Sequence, residues 1–268
     1  MDTHLVLYHS KQIKYYTHGR GEPLMLVHGY QSDSKIWNPL VSLLEKQYYL
    51  IIPDLPGHGA SQLVHPVNSM NLLGDILLRI AISERLEKFT LVGHSMGGYA
   101  SLHFAEKNPN LLKQLFLINS HPFADHFTKV LNRSREANLI EDGRKEFLIK
   151  GFAKDNFAKE TKIKRLDIVY WAMHLSLEQD EKGMLADLAG MMARNSKEHF
   201  LKKAKFPVGI LLGKEDKILS ELGIESLEDK RIKIHQLDNC GHMSMVERPD
   251  AIAEIIKKAL PEKPKPSF

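Results

Sequence analysis

Gly93-His94-Ser95-Met96-Gly97 sets a serine between two glycines. A random chain of this length shows G-x-S-x-G roughly one time in ten, so the flanking residues decide its meaning. The apolar run Phe89–Val92 directly before it reads as a strand, and Met96–Ala105 after it reads as a helix. Between a strand and a helix the glycines leave room for a sharp turn that lifts the serine hydroxyl over a helix N-terminus. A hydroxyl attacks a carbonyl only when a base takes its proton, and the base must be held in one tautomer. Leu211-Leu-Gly-Lys-Glu-Asp216 ends one later apolar run, and Asn239-Cys-Gly-His242 follows the next. The order Ser95, Asp216, His242 suits this use, with Glu215 as the alternative acid. Among fourteen histidines, His242 is set apart by its place after Gly241, between a strand and an apolar helix. A developing oxyanion needs fixed N–H donors: the residue after the nucleophile, Met96, and Tyr30, which follows His28-Gly29 at another strand end. The chemistry these residues could do is acyl transfer through a covalent serine, which needs no metal and no organic cofactor.

Such residues must be carried by strands and helices. Short β-rich apolar runs lie at Leu5–Tyr8, Ile13–Tyr16, Pro23–Val27, Tyr48–Ile52, Phe89–Val92, Leu115–Ile118, Val208–Leu212 and Ile232–Leu237. Several are nearly all apolar, as strands buried on both faces are, while the first two are mixed and read as an antiparallel edge. Helical spacing separates them at Ser34–Glu45, Asn71–Leu86, Gly97–Lys107 and Asp250–Leu260. The expectation is an α/β fold, a mostly parallel eight-stranded sheet flanked by helices. From Phe123 to about Lys205 the alternation stops, and apolar residues from Phe147 to Met192 keep helical spacing. That predicts an inserted helical cap at 122–205, a core of 1–121 and 206–262, and a Pro- and Lys-rich tail at 263–268.

The 268 residues, 43% hydrophobic and 26% charged, fit one large domain or a domain with an insertion, large enough for an ordinary core. One cysteine, Cys240, excludes an intrachain disulfide, and the start lacks a basic, apolar leader, so a cytoplasmic location without membrane attachment is the expectation. The net charge of +4 comes from residues 121–205, with 17 Lys or Arg against 13 Asp or Glu. Lys162-Ile-Lys164-Arg165 and Lys202-Lys203-Ala-Lys205 are too short and too mixed with acids for a nucleic-acid surface and read as solvated helix faces. The partner expected is a small-molecule substrate. Monomer and homodimer both stay open.

Taken together, the motifs resemble the α/β-hydrolase superfamily, in its serine hydrolase branch with a helical cap. His28-Gly29-Tyr30 with Trp37, Asp54-Leu-Pro-Gly-His-Gly-Ala-Ser61, Gly93-His-Ser-Met-Gly-Gly98, Gly213-Lys-Glu-Asp216 and Gly241-His242 stand in the family's order from about residue 5 to 260. Only the cap matches nothing. The resemblance implies a Ser95–His242–Asp216 triad acting on carboxylic esters, or on thioesters or lactones, of a small to medium apolar substrate. Ser95 argues against the dehalogenase and epoxide hydrolase branches, whose nucleophile is a carboxylate. His94 stands where carbon–carbon bond hydrolases commonly carry Asn, and Tyr99 where the menaquinone-pathway lyases carry Arg. Such a lyase and a receptor-like binding protein are the alternatives. Phe123, Trp171 and Met243 are expected on the substrate pocket, with Phe127, Met173, Met191, Met192 and Met245 near them, while Trp37 and Tyr99 read as packing. Lysines of the cap offer a further expectation, attraction of an acidic substrate group.

Overall fold

Along the central strands, neighbouring residues enter different cores. Leu24, Leu26, Leu50, Ile52, Phe116 and Ile118 join one buried cluster, while Met25, Val27, Ile51, Leu115 and Leu117 join another. A strand turns alternate side chains to opposite faces, so an apolar run becomes a sheet covered on both sides. The computed structural model describes residues 1–219 and 222–260 and gives eight strands among them. They are β1 (Asp2–Tyr8), β2 (Lys11–His18), β3 (Glu22–Val27), β4 (Tyr48–Pro53), β5 (Phe89–His94), β6 (Leu112–Ile118), β7 (Val208–Gly213) and β8 (Ile232–Leu237). Their order across the sheet is β1-β2-β4-β3-β5-β6-β7-β8. β2 pairs antiparallel with both β1 and β4, and every other pairing is parallel.

Helices α1 (Asn38–Leu44), α2 (Met70–Ser83) and α3 (Met96–Lys107) precede β6, and α10 (Ser244–Glu247) and α11 (Pro249–Ala259) follow β8. α2 and α3 pack against one face, and α1 and α11 against the other. The helix expected at Ser34–Glu45 divides into a 3-10 turn, Ser34–Trp37, and α1, because Pro39 lacks an N–H and suits a helix start. The expected tail, 263–268, lies outside the described residues. Among the described residues, no helix is long and apolar enough to cross a membrane.

Between β6 and β7 come α4 (Phe127–Glu141), α5 (Lys145–Asn156), α6 (Thr161–Lys164), α7 (Leu166–Leu177), α8 (Glu181–Met192) and α9 (Glu198–Lys203). α8 is seated directly on the loop that follows β4. A Cβ on Gly190 would lie 1.8 Å from the Asn68 carbonyl oxygen, and one on Gly183 would lie 2.1 Å from that of Gly57. Between these contacts, Asn68 donates from its backbone to Ala186 at 2.9 Å and from its side chain to Asp187 at 2.7 Å. His58 Nε2 faces the other Asp187 oxygen at 3.1 Å, with both side chains fully buried. Burial pushes Asp187 well above and His58 well below their ordinary ranges, so the site disfavours charge on either side chain. Gly190→Ala therefore wedges a methyl group against backbone and is expected to cost about 1–3 kcal/mol of stability, measured by denaturant unfolding. Unchanged stability would show that α8 can move off the loop freely.

Candidate active site

β5 ends at His94 and α3 begins at Met96, so Ser95 makes the turn alone. Its φ of 50° and ψ of −116° lie where an L-residue is strained by about 1–3 kcal/mol. Neighbours hold it there: Ser95 N donates to Ile118 O at 3.0 Å, and Ser120 Oγ and Gly98 N donate to Ser95 O at 2.7 and 2.9 Å. Gly97 is required by close approach, since a Cβ would lie 2.4 Å from the carbonyl oxygens of both Val27 and His28.

The three residues expected from the sequence meet in one hydrogen-bonded line. His242 Nε2 lies 3.0 Å from Ser95 Oγ, and His242 Nδ1 lies 2.7 Å from Asp216 Oδ2. Asp216 also accepts from Asn119 Nδ2 at 2.8 Å and from the Ile218 N–H at 2.9 Å. Burial favours its neutral form, but the charge of His242 and these hydrogen bonds outweigh it and hold the carboxyl below its usual range. An ionised carboxylate only accepts, so the imidazole proton sits on Nδ1 and Nε2 is left to accept from the serine. Glu215, the alternative acid, instead accepts from the Lys159 N–H at 2.9 Å.

The loop carrying His242 is fixed from several sides. Its N–H donates to Asn156 O at the end of α5 at 2.8 Å. Glu247 accepts from Gly241 N at 2.8 Å with one oxygen, and from Ala158 N and Thr161 Oγ1 at 2.9 and 2.6 Å with the other. His94, next to the nucleophile, lies with Nε2 2.9 Å from His242 O. Burial, then the charge of His242, pushes its pKa down to about 3, so it is neutral and donates from Nε2. Burial pushes the Cys240 thiol up, leaving it protonated.

Tyr30 and Met96, expected as oxyanion donors, have backbone N–H groups that bond to no other group among the described residues. The turn before Tyr30 is set by His28, whose Nε2 accepts from Leu55 N at 2.9 Å, leaving Nδ1–H to donate to Gly29 O at 2.9 Å. Asp54 closes the next loop, accepting from Ser34 N and Ala60 N at 2.9 Å each.

Ser95 and His242 open into a cavity of about 340 Å³, within the range for small-molecule sites. Tyr30, Gln31 and Tyr99 line it from the sheet side. From the inserted block come Phe147, Leu148 and Phe152 of α5, Met191 of α8, and Lys129, Arg133, Glu136 and Leu139 of α4. Three pocket expectations need correction. Phe123 stacks on His121 at 5.8 Å and is not on the wall. Trp171 packs beside Met173 on the core that α1 and α11 cover, because the inward face of α7 meets that core. Met243 is buried in the same core, since His242 N and Met243 N share Asn156 O and turn the methionine inward. Tyr99, read as packing, does reach the wall, clamped between the Arg194 guanidinium at 3.9 Å and His121.

Sequence reasoning missed Asn119. Its φ of 46° is one that asparagine tolerates, and its side chain joins Asp216 to the Gly241 carbonyl at 3.1 Å while accepting from Ser244. The signal was a polar Asn119-Ser120 pair closing an apolar strand. The sequence suggested that cap lysines attract an acidic group but did not single out the charged stripe Lys129, Arg133 and Glu136 on α4. Burial, opposed by Arg133 and Lys129, raises Glu136 above its usual range. Ionised Glu136 then opposes folding above that raised native value, and the penalty vanishes below the unfolded value of about 4.3. Glu136→Gln is accordingly expected to raise the unfolding temperature at pH 8, with the gain shrinking toward zero below pH 4. A gain independent of pH would contradict this.

A family model described as the alpha/beta hydrolase family matches residues 24–255, and the chain belongs to that family. A thermophilic esterase from Thermogutta terrifontis has a similar structure, with a TM-score of 0.89, 25% identity and 93% of each chain covered. The chain is 36% identical over 105 residues to the pimeloyl-[acyl-carrier protein] methyl ester esterase of Legionella pneumophila, covering 39% of this chain and 41% of that protein. It is 26% identical to monoacylglycerol lipase abhd6-B of Xenopus laevis, over 91% of this chain and 81% of that one. The chain thus matches about two fifths of the length of the first of these curated relatives.

Proposed function

We propose that this protein is a serine hydrolase of carboxylic esters, with thioesters and lactones as chemically adjacent substrates. The observation that carries the reading is the line Ser95–His242–Asp216 opening into a cavity beside two unengaged N–H groups. Ser95 Oγ attacks the carbonyl carbon while His242 Nε2 takes its proton, and Asp216 stabilises the imidazolium. The N–H groups of Tyr30 and Met96 receive the oxyanion. Collapse breaks the bond to the leaving alcohol, which takes the proton from His242. Water then repeats the sequence on the acyl-serine and frees the acid. The helices of 122–205 act as the cap that encloses the substrate and sets its size. Esterases and a lipase among the relatives agree with this chemistry.

The test is turnover of p-nitrophenyl esters with acyl chains of two to twelve carbons. Short and medium chains are expected to react and the twelve-carbon chain to react poorly. No turnover of any ester, with no acyl-serine trapped, would remove the reading.

A further inference from the structure

Resting on the ester hydrolase reading, we infer that the substrate carries a carboxylate, held by Arg133 and Lys129 against the α4 wall of the cavity. Lys129, Arg133 and Glu136 stand at i, i+4 and i+7, one face of a helix, and that face is turned to the cavity that holds Ser95. A solvated stripe would point away from the core. Arg133 is instead 6% exposed.

The charges of this wall do not cancel. Arg133 Nε donates to Asp125 Oδ2 at 2.6 Å, and Arg194 Nη1 contacts Asp125 Oδ1 at 2.8 Å, so two guanidiniums share one carboxylate. Among the described residues, Asp125 and Glu136 stand against Arg133, Arg194 and Lys129, an excess of one positive charge even with Glu136 ionised. Asp155, also on the lining, is exposed and paired with Lys217 at 3.2 Å. His94 and His121 add nothing, since burial keeps both neutral with pKa values of about 3. The Nη groups of Arg133 and the Lys129 ammonium have no hydrogen-bond partner among the described residues. Arg194 Nε and Nη2, Tyr30 Oη and Gln31 Oε1 are likewise buried without one.

A partly buried cation without a matching anion is costly. A ligand anion supplies that match, and the planar Nη pair of Arg133 fits the two oxygens of a carboxylate. The excess of one charge favours a monoanion over a phosphate dianion. Lys129 adds a second, mobile donor one turn away.

The experiment compares the 4-nitrophenyl monoester of glutaric acid with that of glutaramic acid, matched in size and leaving group and differing in charge. Wild type is expected to favour the carboxylate at least tenfold in kcat/KM. Arg133→Met should reduce that ratio about ten- to hundred-fold, Lys129→Met should reduce it less, and Glu136→Gln should raise it. Each ratio is internal to one variant, and fluorophosphonate labelling of Ser95 reports that the site is still assembled. Should Arg133→Met fail to fold because Asp125 loses a partner, the opposite shifts of Lys129→Met and Glu136→Gln still decide. Turnover of both esters with no preference, or a preference that none of the three variants changes, overturns the carboxylate site and leaves the ester hydrolase reading standing. If neither ester reacts while the simple p-nitrophenyl esters do, the carboxylate site is overturned; if no ester reacts and no acyl-serine is trapped, the ester hydrolase reading fails. Calorimetric titration of glutaramate, a monoanion, against neutral glutaramide then tests the site alone, with equal affinity overturning it.

Discussion

Ser95→Ala lowers ester turnover about a million-fold, as removal of a nucleophile that acts as a unit with its base does. The loss is chemical rather than structural. The strained turn is held by backbone bonds from Ser95 N to Ile118 and to Ser95 O from Ser120 and Gly98, none of which involves the hydroxyl. Alanine at φ 50° is no more strained than serine, so the unfolding midpoint should stay near wild type. The residual rate comes from the Tyr30 and Met96 N–H groups and from substrate binding. The measurement is kcat/KM for a reactive aryl ester, with a stopped assay sensitive enough to reach the residual rate.

Asp216→Asn costs on the order of ten-thousand-fold, and the hydrogen bonds around position 216 say why. One carboxylate oxygen accepts from Ile218 N, and the other accepts from both His242 Nδ1 and Asn119 Nδ2. If the asparagine oxygen stays on Ile218, its NH₂ faces two donors. His242 can then pair only by accepting at Nδ1, which moves its proton to Nε2 and points an N–H at Ser95. The serine loses its base while every side chain stays nearly in place. Flipping the amide sets its NH₂ against the Ile218 N–H instead. Pairing Asp216→Asn with Asn119→Asp restores one complementary contact but leaves the tautomer problem whenever the new carboxylate cannot reach His242. The check is kcat for both variants beside an unfolding midpoint. A fall of less than tenfold for Asp216→Asn would mean that His242 is oriented by other groups.

Much of the fold was legible because strands buried on both faces leave continuous apolar runs, as at Leu24–Val27 and Leu115–Ile118. The order of Ser95, Asp216 and His242 was legible because each lies in the turn or loop after a parallel strand, at the same sheet edge. The pocket was not. Helical spacing marks Trp171, Met173 and Met191 alike as inward-facing, yet α7 turns toward the core under α1 and α11 while α8 turns toward the cavity. α8 is seated by the Gly183 and Gly190 contacts with the loop after β4, pairs distant in sequence. Lys129, Arg133 and Glu136 have the spacing of an ordinary solvated helix face, and only the tertiary fold reveals that the face is walled in. Asn119 was missed for a related reason: its bonds reach residues 97 and 125 positions away.

The central claim is that Ser95 is an activated nucleophile, and fluorophosphonate labelling followed by peptide mass analysis tests it most directly. The account predicts one adduct per chain, located on the peptide containing Ser95, and none in Ser95→Ala. An adduct on another residue, or equal labelling of wild type and Ser95→Ala, would contradict it.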